Sequence, residues 1–140
     1  MRGALLAVGT TAVIHRASMS EALPHSADLV VIGGGTAGAA TAGFAAAHGL
    51  RVVLLERRPL DRAGARWVNG VTRAALREAG LTVPDAAAAP PRFHLVTANH
   101  RVTVPRHDVV DLDMRALVAQ LHDRARAAGD ELIGEVQVTG

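Results

Sequence analysis

The sequence predicts an α/β fold built on a parallel sheet, and three observations carry that prediction. A short apolar run rich in β-branched residues, 29–33, leads into a glycine-rich turn and a segment of small residues. A second apolar run, 51–55, ends at an acidic residue. An amphipathic stretch at 114–128 is followed by a third run, 131–138. Each continuous apolar run is typical of a strand buried on both faces, and strand, helix and strand in succession form a crossover unit.

The glycine-rich turn has the spacing Gly-x-Gly-x-x-Gly, with its glycines at Gly33, Gly35 and Gly38. Gly33 permits a tight turn out of the strand, Gly35 leaves room for a pyrophosphate against the backbone, and Gly38 lets the helix pack closely on the strand. The first N–H groups of the helix, near Thr36 and Ala37, carry partial positive charge that attracts a diphosphate. The pattern therefore predicts a Rossmann-type βαβ domain that binds FAD or NAD(P).

The acid at the end of the second strand is Glu56, which follows the last glycine by 18 residues. In a dinucleotide-binding unit an acid about 20 residues after the turn accepts hydrogen bonds from ribose hydroxyls. A carboxylate there repels a 2′-phosphate, which favours NAD or FAD over NADP. Arg57 and Arg58 allow the opposite interpretation, as ligands of a 2′-phosphate. We interpret Arg57 as a neighbour of the adenosine or its phosphates and Arg58 as a solvated surface charge.

The composition excludes several kinds of chemistry. The chain has no Cys, no Tyr and no Lys, and its serines all precede residue 27. Thiol or serine nucleophiles, zinc–thiolate sites and lysine Schiff bases are therefore excluded, and redox chemistry would have to come from a cofactor. The sequence leaves the catalytic residues unknown, and we predict no metal site, because no two of the 7 histidines have metal-ligand spacing. With 2% aromatic residues and dispersed arginines, we expect no nucleic-acid partner.

Residues 1–27 are interpreted as a disordered leader or an over-extended start, with Met19 as an alternative to Met1, and residues 28–140 as the domain. The apolar run at 3–14 is too short to span a membrane, and no Ala-x-Ala cleavage site follows it. We therefore expect no membrane span and a cytoplasmic location.

The middle of the chain has weaker patterns. A four-residue recurrence of apolar positions predicts a helix over 67–79, and the prolines around 84–91 predict a linker. Alternation over 94–98 and 101–105 predicts an antiparallel hairpin around a two-residue turn, Asn99-His100, in which Asn99 accepts a positive φ. Asp113 is the predicted N-cap of the helix that follows. The hairpin is an insertion, because it does not belong to a βαβ repeat.

Two blocks of the sequence together resemble a known family. The segment DLVVIGGGTAGAATAGFAAAHGLRVVLLERR, followed at a distance by VVDLDMRALVAQLHDRARAAGDELIGEVQVTG, is similar to the N-terminal FAD-binding part of FAD-dependent oxidoreductases of the p-hydroxybenzoate hydroxylase and geranylgeranyl reductase type. The resemblance implies an FAD enzyme that takes hydride from NAD(P)H and then activates oxygen or reduces an alkene. It leaves the substrate, and the choice between hydroxylation and reduction, open.

The resemblance also implies roles for individual residues. The three glycines of the turn would hold the FAD pyrophosphate, and the acid after the second strand would hold the adenosine ribose. Arg115 stands where the family has an Arg or Gln that reaches the phosphates or the ribityl chain. Val138, with Val136 as the alternative, would meet the adenine through its backbone. Arg66 and Asn69 match the family's flavin-side loop only loosely.

The chain departs from the family in its extent. The later segments that close over the flavin and the substrate are missing, so we expect an incomplete, truncated domain that exposes an apolar edge and self-associates. A different function class stays open: a stand-alone module that binds NAD or FAD without turnover.

Overall fold

A computed structural model describes residues 13–16, 24, 26–83, 92–105 and 108–139. The described strands are β1 Val13–Arg16, β2 Leu29–Ile32, β3 Val52–Leu55, β4 Val68–Thr72, β5 Arg92–Val96, β6 Arg101–Pro105, β7 Val109–Asp113, β8 Glu131–Ile133 and β9 Val136–Thr139. The α-helices are α1 Thr36–Ala47, α2 Arg73–Glu78 and α3 Met114–Ala127. The chain divides into two compact units, one of residues 1–65 and 118–140 and one of residues 66–117.

The first unit contains a three-stranded parallel sheet in the order β2-β3-β8. The central strand, β3, is buried at all four positions because it has a strand on each side. The register pairs Leu29 with Val52 and Val53 with Glu131, which brings the carboxyl ends of β2 and β3 to the same edge. This sheet and its helices confirm the predicted α/β, Rossmann-type fold.

The edge strand β2 corrects one expectation, because it is not buried on both faces. Its residues alternate between half-buried and exposed, and the side chains of Val30 and Ile32 are 51% and 65% exposed. The strand has a partner on one side only among the described residues, which leaves its other edge open, and Val30 and Ile32 lie together on its exposed face.

Helix α1 packs on the sheet through small residues, with four buried alanines: Ala39, Ala42, Ala45 and Ala46. A side chain at Gly38 would collide with the carbonyl oxygen of Gly33, so helix and strand approach as closely as the glycine pattern predicts. The helix ends where Gly49 adopts a φ of 84°, the left-handed conformation that glycine supplies at low cost.

The third apolar run forms two strands rather than one continuous strand over 131–138. Between β8 and β9, Glu135 has a φ of 60°, and a Cβ on Gly134 would lie 3.1 Å from the Arg58 carbonyl oxygen. The chain therefore bulges at these two residues. Beyond the bulge, β9 pairs antiparallel with β1, so that four residues of the segment interpreted as a leader form a strand. The other two strands of the parallel sheet are each one residue shorter than predicted, because β2 ends at residue 32 and β3 begins at residue 52.

In the second unit the predicted helix over 67–79 is wrong for its first half. Residues 68–72 form β4, which pairs antiparallel with β7, a strand that the sequence analysis did not identify. Only residues 73–78 are helical, with the Thr72 hydroxyl accepting a hydrogen bond from the Ala75 N–H at 3.2 Å. The β-branched residues of the first half pair with a distant strand, and this outweighs their helix-like spacing.

The predicted hairpin exists as β5 and β6, but its turn lies one residue earlier than expected. The Thr97 N–H donates to the His100 carbonyl at 2.8 Å, which encloses Ala98 and Asn99. Asn99 does not have a positive φ. In the described structure the hairpin forms a sheet of its own, as the sequence implied.

Helix α3 begins in the second unit and continues in the first. The Asp113 carboxylate accepts the Arg115 N–H at 2.9 Å, which confirms Asp113 as the N-cap. The helix ends at residue 127, one residue before the predicted end. In the part of the chain that the structure describes, no helix has the length and apolar character needed to cross a bilayer.

Candidate dinucleotide site

The first unit has a cleft of about 190 Å³ at the carboxyl edge of its parallel sheet. Its walls come from the end of β2, the end of β3 and the strand after the bulge: Ile32, Gly33, Leu55, Glu56, Arg57, Val136, Gln137 and Val138. Ligands of open α/β sheets bind at this edge. The cleft therefore brings together Gly33, Glu56, Arg57 and Val138, which the sequence analysis selected, and the alternative Val136.

Glu56 is the acidic residue of this cleft, and its side chain is held by the backbone. It is 7% exposed, and Oε2 accepts the Gly34 N–H at 2.7 Å while Oε1 accepts the Arg58 N–H at 3.0 Å. A carboxylate has about four lone-pair positions, so two hydrogen bonds leave acceptor capacity for ribose hydroxyls. The main chain of Glu56 also bonds on both sides of the bulge, to Ile133 at 2.9 Å and to Val136 at 2.9 Å.

The glycine-rich turn is shaped by a glycine that the sequence analysis passed over. Gly34 occupies a variable position of the motif, yet a Cβ there would lie 3.1–3.3 Å from Leu54, Glu56 and His122. At Gly33, whose φ is 100°, a Cβ would meet no atom within 4 Å, so the turn borders open space. The sequence signal for Gly34 was the run of three glycines itself, one more than the motif requires.

The structure places Gly35 beside another glycine of the same unit. The position that its Cβ would occupy lies 3.5 Å from the Cα of Gly64, an ordinary contact distance, and the role of Gly35 against the pyrophosphate stays a prediction. Helix α1 starts directly after Gly35, and its first described hydrogen bond joins the Ala39 N–H to the Gly35 carbonyl at 2.9 Å. The amides of Thr36 and Ala37 precede that bond, which is the arrangement that attracts a diphosphate.

The remaining predicted cleft residues differ in exposure. The Arg57 side chain is exposed and lines the cleft, and Arg58 is exposed and is not among the lining residues. Val138 and Val136 both line the cleft; Val136 is buried in the core with Val53 and Leu55, whereas Val138 is half-buried. These positions agree with the interpretation of Arg57 as a neighbour of the adenosine, and the roles themselves stay predictions.

Three further predicted residues belong to the second unit. Arg115 is exposed, and its guanidinium lies 3.6 Å from the Asp113 carboxylate. Arg66 and Asn69 are also exposed. None of the three is among the residues that line the cleft, and their contacts to FAD stay predictions.

His122 is a site residue that the sequence analysis missed. Its side chain is 3% exposed, and its Nε2 lies 2.7 Å from the carbonyl oxygen of Gly34. One signal for His122 was present in the sequence, a polar residue within the apolar stripe of α3. Within residues 26–83, 92–105 and 108–139, no group of three or more His, Asp or Glu side chains is placed to hold a metal ion.

Two acids at the opposite, amino-terminal end of the strands have shifted pKa values. Arg51 hydrogen-bonds Asp28 and lowers the pKa of that carboxyl to about 2. Burial raises the pKa of Asp130 to about 6 although the Glu131 N–H acts in the opposite direction, and both of its carboxylate oxygens are buried. Both acids bear on stability rather than on the cleft.

Sequence comparison matches residues 28–88 to the FAD dependent oxidoreductase family. A curated relative is the digeranylgeranylglycerophospholipid reductase of Thermoplasma volcanium, with 40% identity over 58 residues. That alignment covers 41% of this chain and 14% of the reductase, so the chain spans a small part of its relative.

Solved structures share the fold at low sequence identity. A geranylgeranyl bacteriochlorophyll reductase-like protein from Thermoplasma acidophilum matches with a TM-score of 0.67 and 21% identity, over 78% of this chain and 30% of that one. Aklavinone-11 hydroxylase, solved with FAD and aklavinone, matches with a TM-score of 0.58 and 22% identity, over 81% of this chain and 26% of the hydroxylase. A mutant of the halogenase PltM, solved with FAD, matches with a TM-score of 0.61 and 20% identity, over 81% of this chain and 28% of the halogenase.

These comparisons agree with the resemblance seen in the two sequence blocks. The family is FAD-dependent, and two of the neighbours contain FAD. The resemblance is confirmed: residues 28–88 match the FAD dependent oxidoreductase family, in a chain whose Rossmann-type fold is similar to that of neighbours solved with FAD.

Proposed function

We propose that this chain is the FAD-binding portion of a flavin-dependent oxidoreductase, and that the cleft beside Glu56 binds the adenosine end of FAD. The observation that carries the proposal is a buried carboxylate at the carboxyl end of β3, next to a glycine turn that borders open space. A ribose presents two hydroxyl donors, and the Glu56 carboxylate, which accepts two backbone hydrogen bonds, has acceptor capacity left for them.

The chain's own contribution is binding and orientation. The amides at the start of α1, Thr36 and Ala37, would face the diphosphate, and Glu56 would accept the ribose hydroxyls. Arg57 would lie beside the adenosine, and the backbone of Val138 would meet the adenine. Bound FAD supplies hydride and electron transfer, whereas the protein supplies position and electrostatics.

We further propose that the complete enzyme uses NAD(P)H as electron donor and acts as a reductase or a monooxygenase. The relatives that support this proposal are named as a reductase and a hydroxylase. A reductase would pass the electrons to an alkene, and a monooxygenase would pass them to oxygen. A cytoplasmic location stays a prediction from the sequence.

The alternative is a binding module that holds NAD or FAD without turnover. The chain spans between 14% and 30% of the relatives described above, so it leaves both functions as proposals. Sequencing the gene beyond codon 140 separates the two: an open frame with further flavoenzyme sequence supports the enzyme, and a stop codon with stable expression supports the module.

Titration of the full chain with FAD, ADP-ribose and NADP tests the binding proposal. We expect FAD and ADP-ribose to bind and NADP to bind weakest, because Glu56 repels a 2′-phosphate. In the same preparation we expect NADPH consumption no faster than that of free flavin. NADP binding as tight as FAD binding would contradict the assignment of the cleft.

A further inference from the structure

Among the described residues, buried polar side chains are few: Glu56, His122 and Asp130. Two of them meet at one residue of the glycine turn. Glu56 approaches Gly34 from the end of β3, and His122 approaches it from α3, 88 residues further along the chain. Burying an imidazole in an apolar helix face has a desolvation cost unless its nitrogens find partners.

The contact defines the direction of the hydrogen bond. The Gly34 carbonyl can only accept, so the His122 Nε2 carries the proton and donates over 2.7 Å. On the other side of the same residue, the Gly34 N–H donates over 2.7 Å to Oε2 of Glu56. The carbonyl belongs to the peptide group between Gly34 and Gly35 and the N–H to the one between Gly33 and Gly34, so the two hydrogen bonds hold the peptide planes on both sides of the Gly34 α carbon.

The steric surroundings reinforce these two hydrogen bonds. A Cβ on Gly34 would stand 3.3 Å from the His122 Nε2 and 3.2 Å from the Glu56 Cβ, so both side chains close around the bare α carbon. A glycine has many backbone conformations available, and the two hydrogen bonds select one of them. Without the imidazole donor, the Gly34–Gly35 peptide group would lose its restraint, and the neighbouring N–H that faces Glu56 would be held less firmly through the shared α carbon.

We propose that His122 is a positioning residue of the dinucleotide site: it holds Gly34 so that Glu56 is oriented toward the ribose before FAD binds. The inference rests on the proposed function, since it assigns His122 a role only through Glu56. Its action is on affinity and not on the redox step.

The test uses a matched pair of variants in the full chain. His122→Gln keeps a donor at similar reach, and His122→Met has similar length but no donor. We expect FAD affinity to stay within about twofold in His122→Gln and to fall about tenfold in His122→Met, the size of one lost hydrogen bond. Equal FAD affinity in the two variants overturns the proposal. Failure of His122→Met, or of both variants, to fold overturns it as well, because the bond would then serve folding.

A double-mutant cycle separates positioning from general damage. If His122 acts through Glu56, His122→Met weakens FAD binding by less than about twofold when Glu56→Ala is already present. If His122→Met lowers FAD affinity by the same factor with and without Glu56→Ala, the positioning role is overturned, while the assignment of Glu56 to the binding site stands. If Glu56→Ala alone has no effect on FAD affinity, the proposed function fails, and the role of His122 fails with it.

Discussion

The α carbon of Gly38 lies against the carbonyl oxygen of Gly33, so closely that a methyl group on Gly38 would overlap that oxygen. The contact joins the first turn of α1 to the end of β2. It makes the last glycine of the motif a requirement of packing, independent of any ligand.

We therefore expect Gly38→Ala to displace α1 from the sheet. The unfolding free energy should fall by several kcal/mol, because the colliding atom belongs to the backbone and cannot rotate away, as in other overpacked cores. Gly43→Ala in the same helix is the control, since its Cβ would lie 3.3 Å from the Cα of Ala125 and needs only a small adjustment. Urea unfolding of both variants checks the difference, and equal losses would contradict the steric account.

Glu56→Ala should weaken FAD binding by about 1–3 kcal/mol, the range for hydrogen bonds to charged groups. Glu78→Ala, at an exposed position of α2, serves as the control and should leave the affinity unchanged. Fluorescence titration with FAD measures both, and circular dichroism establishes that each variant is folded. Unchanged FAD affinity in a folded Glu56→Ala chain would remove Glu56 from the site.

Arg115 is predicted to act on phosphate and not on folding. Arg115→Gln should retain part of the FAD affinity because an amide still donates a hydrogen bond, whereas Arg115→Glu should abolish binding by repulsion. Thermal unfolding with and without FAD distinguishes the roles. If both variants lose the same stability in the presence and in the absence of FAD, Arg115 is structural.

Asp130 should make the chain less stable as pH rises. Its pKa is about 6 in the folded state and near 4 in the unfolded state, so the folded chain holds the proton between these values and the unfolded chain does not. Unfolding free energy therefore falls from pH 4 to pH 7, by up to about 3 kcal/mol from this group. Asp130→Asn should remove that fall, whereas Asp61→Asn, at an exposed position, should keep it. Urea unfolding across this pH range is the measurement, and identical profiles for the three chains would refute the assignment.

The exposed face of β2 should promote self-association of the 140-residue chain. Val30 is exposed on that face, and Val30→Lys should shift light scattering toward a monomer, since charge on an edge strand opposes pairing. Val102→Lys on the hairpin is the matched change at an exposed valine. A monomeric parent chain, or an equal effect of the two changes, would contradict this role for β2.

The sequence predicted the parts of this fold that depend on local rules. The glycine turn, the second strand with its acid and the N-cap of α3 each have a signature within a few residues, and each is present. The pairing of β4 with β7 could not be predicted, because it joins residues about 40 positions apart and overrides a helix-like spacing. The partnership of Gly34 with His122 has the same origin, since only the folded chain brings residues 88 positions apart into contact.

The bulge at Gly134 and Glu135 sets the phase of the strand that follows it. Side chains alternate along β9, with Val136 buried, Gln137 exposed and Val138 half-buried. Because that alternation has a period of two, removing one bulge residue would turn the whole strand over. The Gln137 amide would then enter the apolar core, and the valines would face the solvent. Gly134 and Glu135 thus determine which face of β9 is buried in the core and which face is exposed to solvent.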